Sequence, residues 1–97
     1  MFYVYVLHSQ LDHGLYIGYS ADLKRRFTEH EQGLSRSTAH RRPVELAYYE
    51  AYCCQADAEG RERFLKSGAG RNFLKKQLRH YFALHPLRTV ETAADAK

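Results

Sequence analysis

Apolar and aromatic residues crowd the start of the chain. Phe2 to Leu7 is an unbroken run of β-formers, Ser9, Asp12, His13 and Gly14 follow, and a second short run spans Leu15 to Tyr19. Two strand-sized runs across a glycine-containing turn predict a β-hairpin. Strand periodicity places Phe2, Val4 and Val6 on one face with Leu15 and Ile17, and Tyr3 and Tyr5 on the other with Tyr16. Gly18 falls on the phenol face, where its missing side chain leaves room for a close approach to the backbone.

The period then changes. With Ser20 as N-cap, Asp22 in the first turn and Gly33 as a stop, Ala21 to Gln32 reads as a helix. Its inward stripe is Leu23, Arg26, Phe27 and His30, so an arginine and a histidine stand where aliphatic residues are expected. A buried guanidinium is costly without a partner, so Arg26 either pairs with an internal acid or opens onto a cleft. Leu34 to Pro43 has polar, basic loop chemistry, and Val44 to Tyr52 reads as a third strand. A helix over Ala56 to Lys66 carries Ala58, Arg61, Glu62 and Leu65 on one stripe. Ser67 to Gly70 is expected to break it, and Arg71 to His85 to form one last helix. The predicted order is ββαβαα, an α+β fold with a small three-stranded antiparallel sheet flanked by helices. Residues 1–85 form the expected domain and 86–97 a tail short of apolar anchors.

Length and composition narrow the functional classes. Ninety-seven residues with 44% hydrophobic and 27% charged positions suit one small globular domain. No apolar stretch approaches the roughly 20 residues of a membrane helix. No basic-then-apolar leader is seen, so a cytoplasmic location is expected. Cys53 and Cys54 are adjacent, a spacing unsuited to an ordinary disulfide, and are expected to pack at the strand end. His8, His13, His40, His80 and His85 show no metal-ligand spacing and read as surface or loop residues. The formal charge of +4 is modest, but Gly60 to His80 holds seven basic residues against Glu62 alone. Lys24 to Arg26 and Arg41 with Arg42 make two more basic clusters. Such clusters suit phosphate contacts as well as they suit a solvated face.

An ordered set of residues sharpens this picture. Tyr3-Val4-Tyr5, Tyr16-Ile17-Gly18, Arg26 ten residues after Tyr16, His30 one turn beyond it, and Glu62 on the next helix resemble the GIY-YIG nuclease superfamily over about Phe2 to Leu78. The segments HRRPVELAYYEAY, GRERFLKSG and GRNFLKKQL are similar to small standalone bacterial members, which resemble the N-terminal nuclease module of the excision-repair C subunit. Tyr3 stands where the motif name has its glycine, a substitution an extended strand position tolerates.

The resemblance implies metal-dependent hydrolysis of phosphodiester bonds, most readily in DNA and with a possible preference for branched or damaged structures. Tyr5, Tyr16, Arg26, His30 and Glu62 would be the catalytic positions. Phosphodiester hydrolysis needs an activated water and neutralisation of charge on phosphate oxygens and leaving group. Glu62 would hold one Mg²⁺ or Mn²⁺ ion, since a hard cation needs only one or two carboxylates besides substrate phosphate and water. Arg26 would fork onto the scissile phosphate. Tyr16 would act as general base, provided nearby cations lower a phenol pKa that is ordinarily about 10. Tyr5 would hydrogen-bond or relay protons beside it, and His30 would either assist as base, contact phosphate, or serve as a satisfied half-buried histidine. Arg41, Arg42, Arg71, Lys75 and Lys76 are the expected phosphate contacts, with Asn72 a candidate for an asparagine that many members carry after the acid. Tyr5, Tyr16, Arg26 and Glu62 are expected to line one water-accessible hollow. The competing readings are a nucleic-acid-binding or protein-interaction module without useful turnover, and an RNA-directed nuclease. A recruiting protein or a homodimer remains compatible with a domain this small.

Overall fold

The computed structural model describes residues 1–88. Strand β1 (Phe2–Ser9) pairs with β2 (Leu15–Ser20), helix α1 (Leu23–Glu31) follows, and a 3-10 turn at Ala39–Arg41 leads into β3 (Val44–Tyr52). Helices α2 (Gln55–Lys66), α3 (Gly68–Gln77) and α4 (Arg79–Leu84) complete the described chain. The sheet is antiparallel with β1 in the centre, in the order β2-β1-β3. The α+β class and the three-stranded sheet are as expected, and the final helical segment is two helices instead of one.

Alternation along β1 divides the apolar residues between two layers. Val4 and Val6 join Leu15, Ile17, Ala58, Leu65 and Leu74 in one core, so α2 and α3 cover that face. Tyr5 and Leu7 join Val44 in a second cluster, against which Tyr16, Leu23, Phe27 and Leu46 pack, so α1 covers the other. The β1–β3 register passes from Val6↔Tyr48 to Leu7↔Leu46, leaving Ala47 as the extra residue of a β-bulge. This slip keeps Leu46 on the α1 side although Tyr48, two residues on, packs on the α2 side.

The hairpin turn is locked by short polar side chains. Ser9 Oγ accepts from the N–H groups of Leu11 and Asp12, Asp12 accepts from the Gly14 N–H, and His13 takes a left-handed φ of 62°. Helix α1 begins two residues later than predicted. Ser20 bonds with the backbone of Asp22, while the Asp22 side chain accepts from the Arg25 N–H and is the true N-cap.

The predicted break over Ser67 to Gly70 contracts to Ser67, which caps α3 by accepting from the Gly70 N–H. Gly70 lies inside α3 because it lets that helix cross directly over α2. A Cβ there would be driven into the Phe64 carbonyl and would sit 2.5 Å from the Leu65 Cα. Leu78 separates α3 from α4 while packing on the core with Phe73 and Phe82, so the apolar repeat runs on through the interruption. Cys53 and Cys54 are exposed at the β3–α2 junction and lie outside both cores, the Cys53 thiol 3.9 Å from Met1 Sδ. His8 is not a surface residue: it is buried on β1, within hydrogen-bonding distance of the Tyr81 hydroxyl (3.0 Å) and the His13 carbonyl (3.2 Å). Leu87 packs on the larger core and the Arg88 N–H donates to the His13 carbonyl, while the rest of the predicted tail, 89–97, lies outside the described residues.

Candidate active site

Tyr5 stands opposite Gly18 across the β1–β2 ladder. A Cβ at position 18 would overlap the phenol Cζ and hydroxyl and come within 2.8 Å of Cε1. The group that approaches the glycine backbone is therefore Tyr5 itself, its ring lying where a side chain at 18 would otherwise stand. Covered also by α1, Tyr5 is only 1% exposed. Its hydroxyl lies 2.9 Å from His30 Nε2, and His30 Nδ1 lies 2.6 Å from Thr38 Oγ1. His30 and Thr38 are fully buried. Three aromatic rings converge here: Tyr5 to His30 at 5.6 Å, Tyr16 to His30 at 5.2 Å, and Tyr5 to Tyr16 at 6.4 Å between centroids. Tyr16 remains partly exposed and its hydroxyl stands outside the Thr38–His30–Tyr5 line.

Burial decides the protonation states. It pushes the Tyr5 phenol up to about 12; the Tyr16 phenol and the Glu62 carboxylate add to the shift and the Arg26 guanidinium opposes it. Burial and then the Arg26 charge bring His30 down to about 4. At neutral pH Tyr5 is a protonated phenol and His30 a neutral imidazole. Neither is open to water, so a direct phosphate contact by His30 and a hollow lined by Tyr5 are both excluded in this conformation.

Arg26 is half-buried at the rim, donating to Glu29 Oε1 at 3.0 Å and to Ser35 Oγ at 3.2 Å. Burial opposes its charge, but Glu29, Tyr5 and Tyr16 outweigh that and raise its pKa. The acid beside Arg26 is thus Glu29 on its own helix. Sequence reading had no reason to single out Glu29, Ser35 or Thr38. The last two were hidden in a segment that reads as a polar loop, and only their burial shows their part.

Glu62 comes from the other layer. Helix α2 packs on the face opposite α1, yet the Glu62 charge raises both Tyr19, which packs on the α2 side, and Tyr5 on the α1 side. Glu62 is partly exposed and pairs with Lys66 at 3.0 Å, an i,i+4 contact of a kind worth little in water. The neighbouring Arg61 fixes its helix. It grips Glu50 on β3 at 2.9 and 3.1 Å, Tyr48 and Tyr52 donate to the same carboxylate, and the guanidinium lies over the Phe64 and Phe73 rings. Glu50 was not among the expected site residues, since an acid in a strand gives no local sign of its partner.

The predicted phosphate contacts separate as well. Arg41 is occupied: it binds Asp12 in a fork at 2.7 and 3.1 Å and pulls that carboxyl far below the usual carboxylate range. Arg42 is exposed, donating to the Ala39 carbonyl beside Gly33. Arg71, Asn72, Lys75 and Lys76 are all exposed on α3, in the layer across the sheet from the phenols.

Two strand phenols, a helical arginine–histidine pair and an acid on α2 are thus in place. The description of a GIY-YIG catalytic domain matches residues 1–77. The chain belongs to the GIY-YIG family. This GIY-YIG chain is 40% identical over 77 residues to a UPF0213 protein from the ldhD 5′ region of Pediococcus acidilactici, covering 76% of this chain and 78% of the relative. It is 38% identical to a UPF0213 protein of Haloquadratum walsbyi over 67% of this chain and 73% of that one. The solution NMR structure of a UPF0213 protein from Bacillus halodurans superimposes with a TM-score of 0.51 at 30% identity, covering 79% of this chain and 85% of the other. The chain is a small member of a nuclease superfamily, and its GIY-YIG signature residues Tyr5, Tyr16 and Gly18 meet around α1.

Proposed function

We propose that this GIY-YIG domain is an endonuclease that hydrolyses DNA phosphodiesters with one Mg²⁺ or Mn²⁺ ion, on substrates that include branched or damaged DNA. The observation carrying this reading is the pairing of two partly exposed groups, Tyr16 and Arg26, with a buried support of Tyr5, His30 and Thr38. Arg26 turns its guanidinium to the scissile phosphate, where paired N–H donors match two phosphate oxygens. Its link to Glu29 is short but partly exposed, so the phosphodiester anion of the substrate competes for it readily. Tyr16, once its own phenol proton has passed to solvent, would take the proton of the attacking water, directly or through a second water. Tyr5, protonated and buried, does not act as base; it holds the face against which Tyr16 and Arg26 are set.

Glu62 fits the role of sole protein carboxylate to a hard cation: it is accessible, and its ion pair with Lys66 is easily exchanged. Among the described residues no group of three histidines, cysteines or acids assembles a closed metal site, so substrate phosphate and water would complete the shell. When bound, the cation would lower the pKa of water and neutralise charge at phosphorus. Arg71, Lys75 and Lys76 hold flanking backbone on the α3 side and account for salt-sensitive affinity. Among the described residues no helix is long and apolar enough to cross a membrane; we place the domain in the cytoplasm.

The test is a parallel cleavage assay on single-stranded, duplex and branched DNA and on RNA, with Mg²⁺ or Mn²⁺, for the native chain and Glu62→Gln. Metal-dependent nicking of DNA that Glu62→Gln abolishes, with DNA affinity intact or improved, is the expected result. Cutting confined to RNA replaces the substrate class. Binding without any cutting makes the domain a binding module.

A further inference from the structure

We infer that Thr38 is a positioning residue of this site, accepting the Nδ1–H of the His30 tautomer that the buried Tyr5 hydroxyl requires and so holding the Tyr5 proton on His30. Donors and acceptors around the buried hydroxyl decide the tautomer. Tyr5 is buried and keeps its proton at neutral pH, so its O–H requires an acceptor. The groups facing that hydroxyl are His30 Nε2 at 2.9 Å and the Arg26 guanidinium, which has no lone pair to offer. The acceptor is therefore Nε2, and the single proton of the neutral imidazole sits on Nδ1. Nδ1–H then donates to Thr38 Oγ1 at 2.6 Å.

The opposite tautomer would aim an Nε2–H at the phenol oxygen and leave the Tyr5 proton between two donors. Thr38 lies eight residues beyond His30, in the segment just before the 3-10 turn, where the Thr38 N–H donates to the Ser35 carbonyl and the Ser35 side chain in turn accepts from Arg26. One short stretch thus holds both the imidazole and the guanidinium. With the Tyr5 proton committed to His30, the phenol lone pairs face Arg26 and help to hold it at the rim, toward incoming phosphate. Thr38 touches neither substrate nor metal in this scheme and acts only through His30.

The tautomer is read directly by the ¹⁵N chemical shifts of the His30 ring in the labelled native chain at neutral pH, with no substrate present. Nδ1–H is expected; an Nε2–H imidazole overturns the inference. Thr38→Val, nearly isosteric but without the acceptor, is expected to move the ring to Nε2–H or to a mixture, and Thr38→Ser to restore Nδ1–H. An unchanged ring in Thr38→Val also overturns it. Should Thr38→Val fail to fold, Thr38→Ala takes its place with the same two outcomes. The catalytic consequence rests on the nuclease reading above: turnover in Thr38→Val should fall by up to about 100-fold with KM little changed, and recover in Thr38→Ser. A chain that cuts nothing would remove the nuclease reading while leaving the spectroscopic result standing on its own.

Discussion

Replacing Gly18 with alanine tests the packing on which the whole site depends. The added methyl would enter the space held by the Tyr5 ring, and that ring has nowhere to go, with α1 above it and an exposure of 1%. Forcing a buried side chain off its position costs roughly 1–3 kcal/mol. A ring displaced far enough to lose its bond to His30 forfeits about 1 kcal/mol more. The combined loss of roughly 2–4 kcal/mol is large against the roughly 5–15 kcal/mol typical of whole domains. It corresponds to a fall in Tm of about 8–32 °C. The assay is urea unfolding of four chains: native, Gly18→Ala, Tyr5→Leu and the double variant. Tyr5→Leu is itself destabilising, but it removes the ring, so alanine at 18 should then cost less than about 0.5 kcal/mol and the two sites should couple by at least about 1.5 kcal/mol. Equal losses from Gly18→Ala in both backgrounds would refute the claim that this glycine exists to admit the tyrosine.

Acid should weaken the fold through His30. Its pKa falls from 6.5 to about 4 on folding, so the unfolded chain takes up the proton first; the stabilisation is whole above pH 6.5 and drains away as pH falls toward 4, by about 3 kcal/mol. Unfolding free energies measured across that range should show the slope in the native chain and a shallower one in His30→Gln. The exposed and the occupied arginines should also behave differently in binding. Arg71→Ala with Lys75→Ala should weaken DNA affinity and flatten the log–log salt dependence by about 0.9 per lost phosphate contact. Arg41→Ala should leave affinity and salt slope alone while lowering stability by about 1 kcal/mol, because its guanidinium already serves Asp12; an affinity loss matching that of the α3 pair would return Arg41 to the nucleic-acid surface.

Local periodicity was enough to read the strands, since alternation along Phe2 to Leu7 assigns each side chain to the layer it occupies. It also placed Arg26 and His30 on the inward side of α1. It failed where a feature depends on contacts distant in sequence. The break at Leu78 leaves the apolar stripe in phase, so pattern alone joins α3 to α4. Gly70 looks like a helix breaker until the backbone of α2 is seen lying against it. Thr38 and Ser35 are polar residues in a basic segment, and nothing nearby announces that they are buried beneath α1. Glu62 stands out as a lone acid among bases and owes its expected role to the family resemblance, but the layer its helix joins was not legible, because the side of the sheet a helix covers is settled by chain crossing and not by the helix's own sequence.

The sheet order β2-β1-β3 makes the chain's first strand its middle one. During synthesis the hairpin, α1 and Thr38 all precede β3, so every member of the Thr38–His30–Tyr5 line leaves the ribosome while one flank of β1 still has bare amide and carbonyl groups. That flank is sealed only when Tyr52 arrives to meet Phe2. An emerging chain must keep its most β-prone segment from joining a neighbour's until then, and the early turn that folds β2 back onto β1 halves the surface at risk.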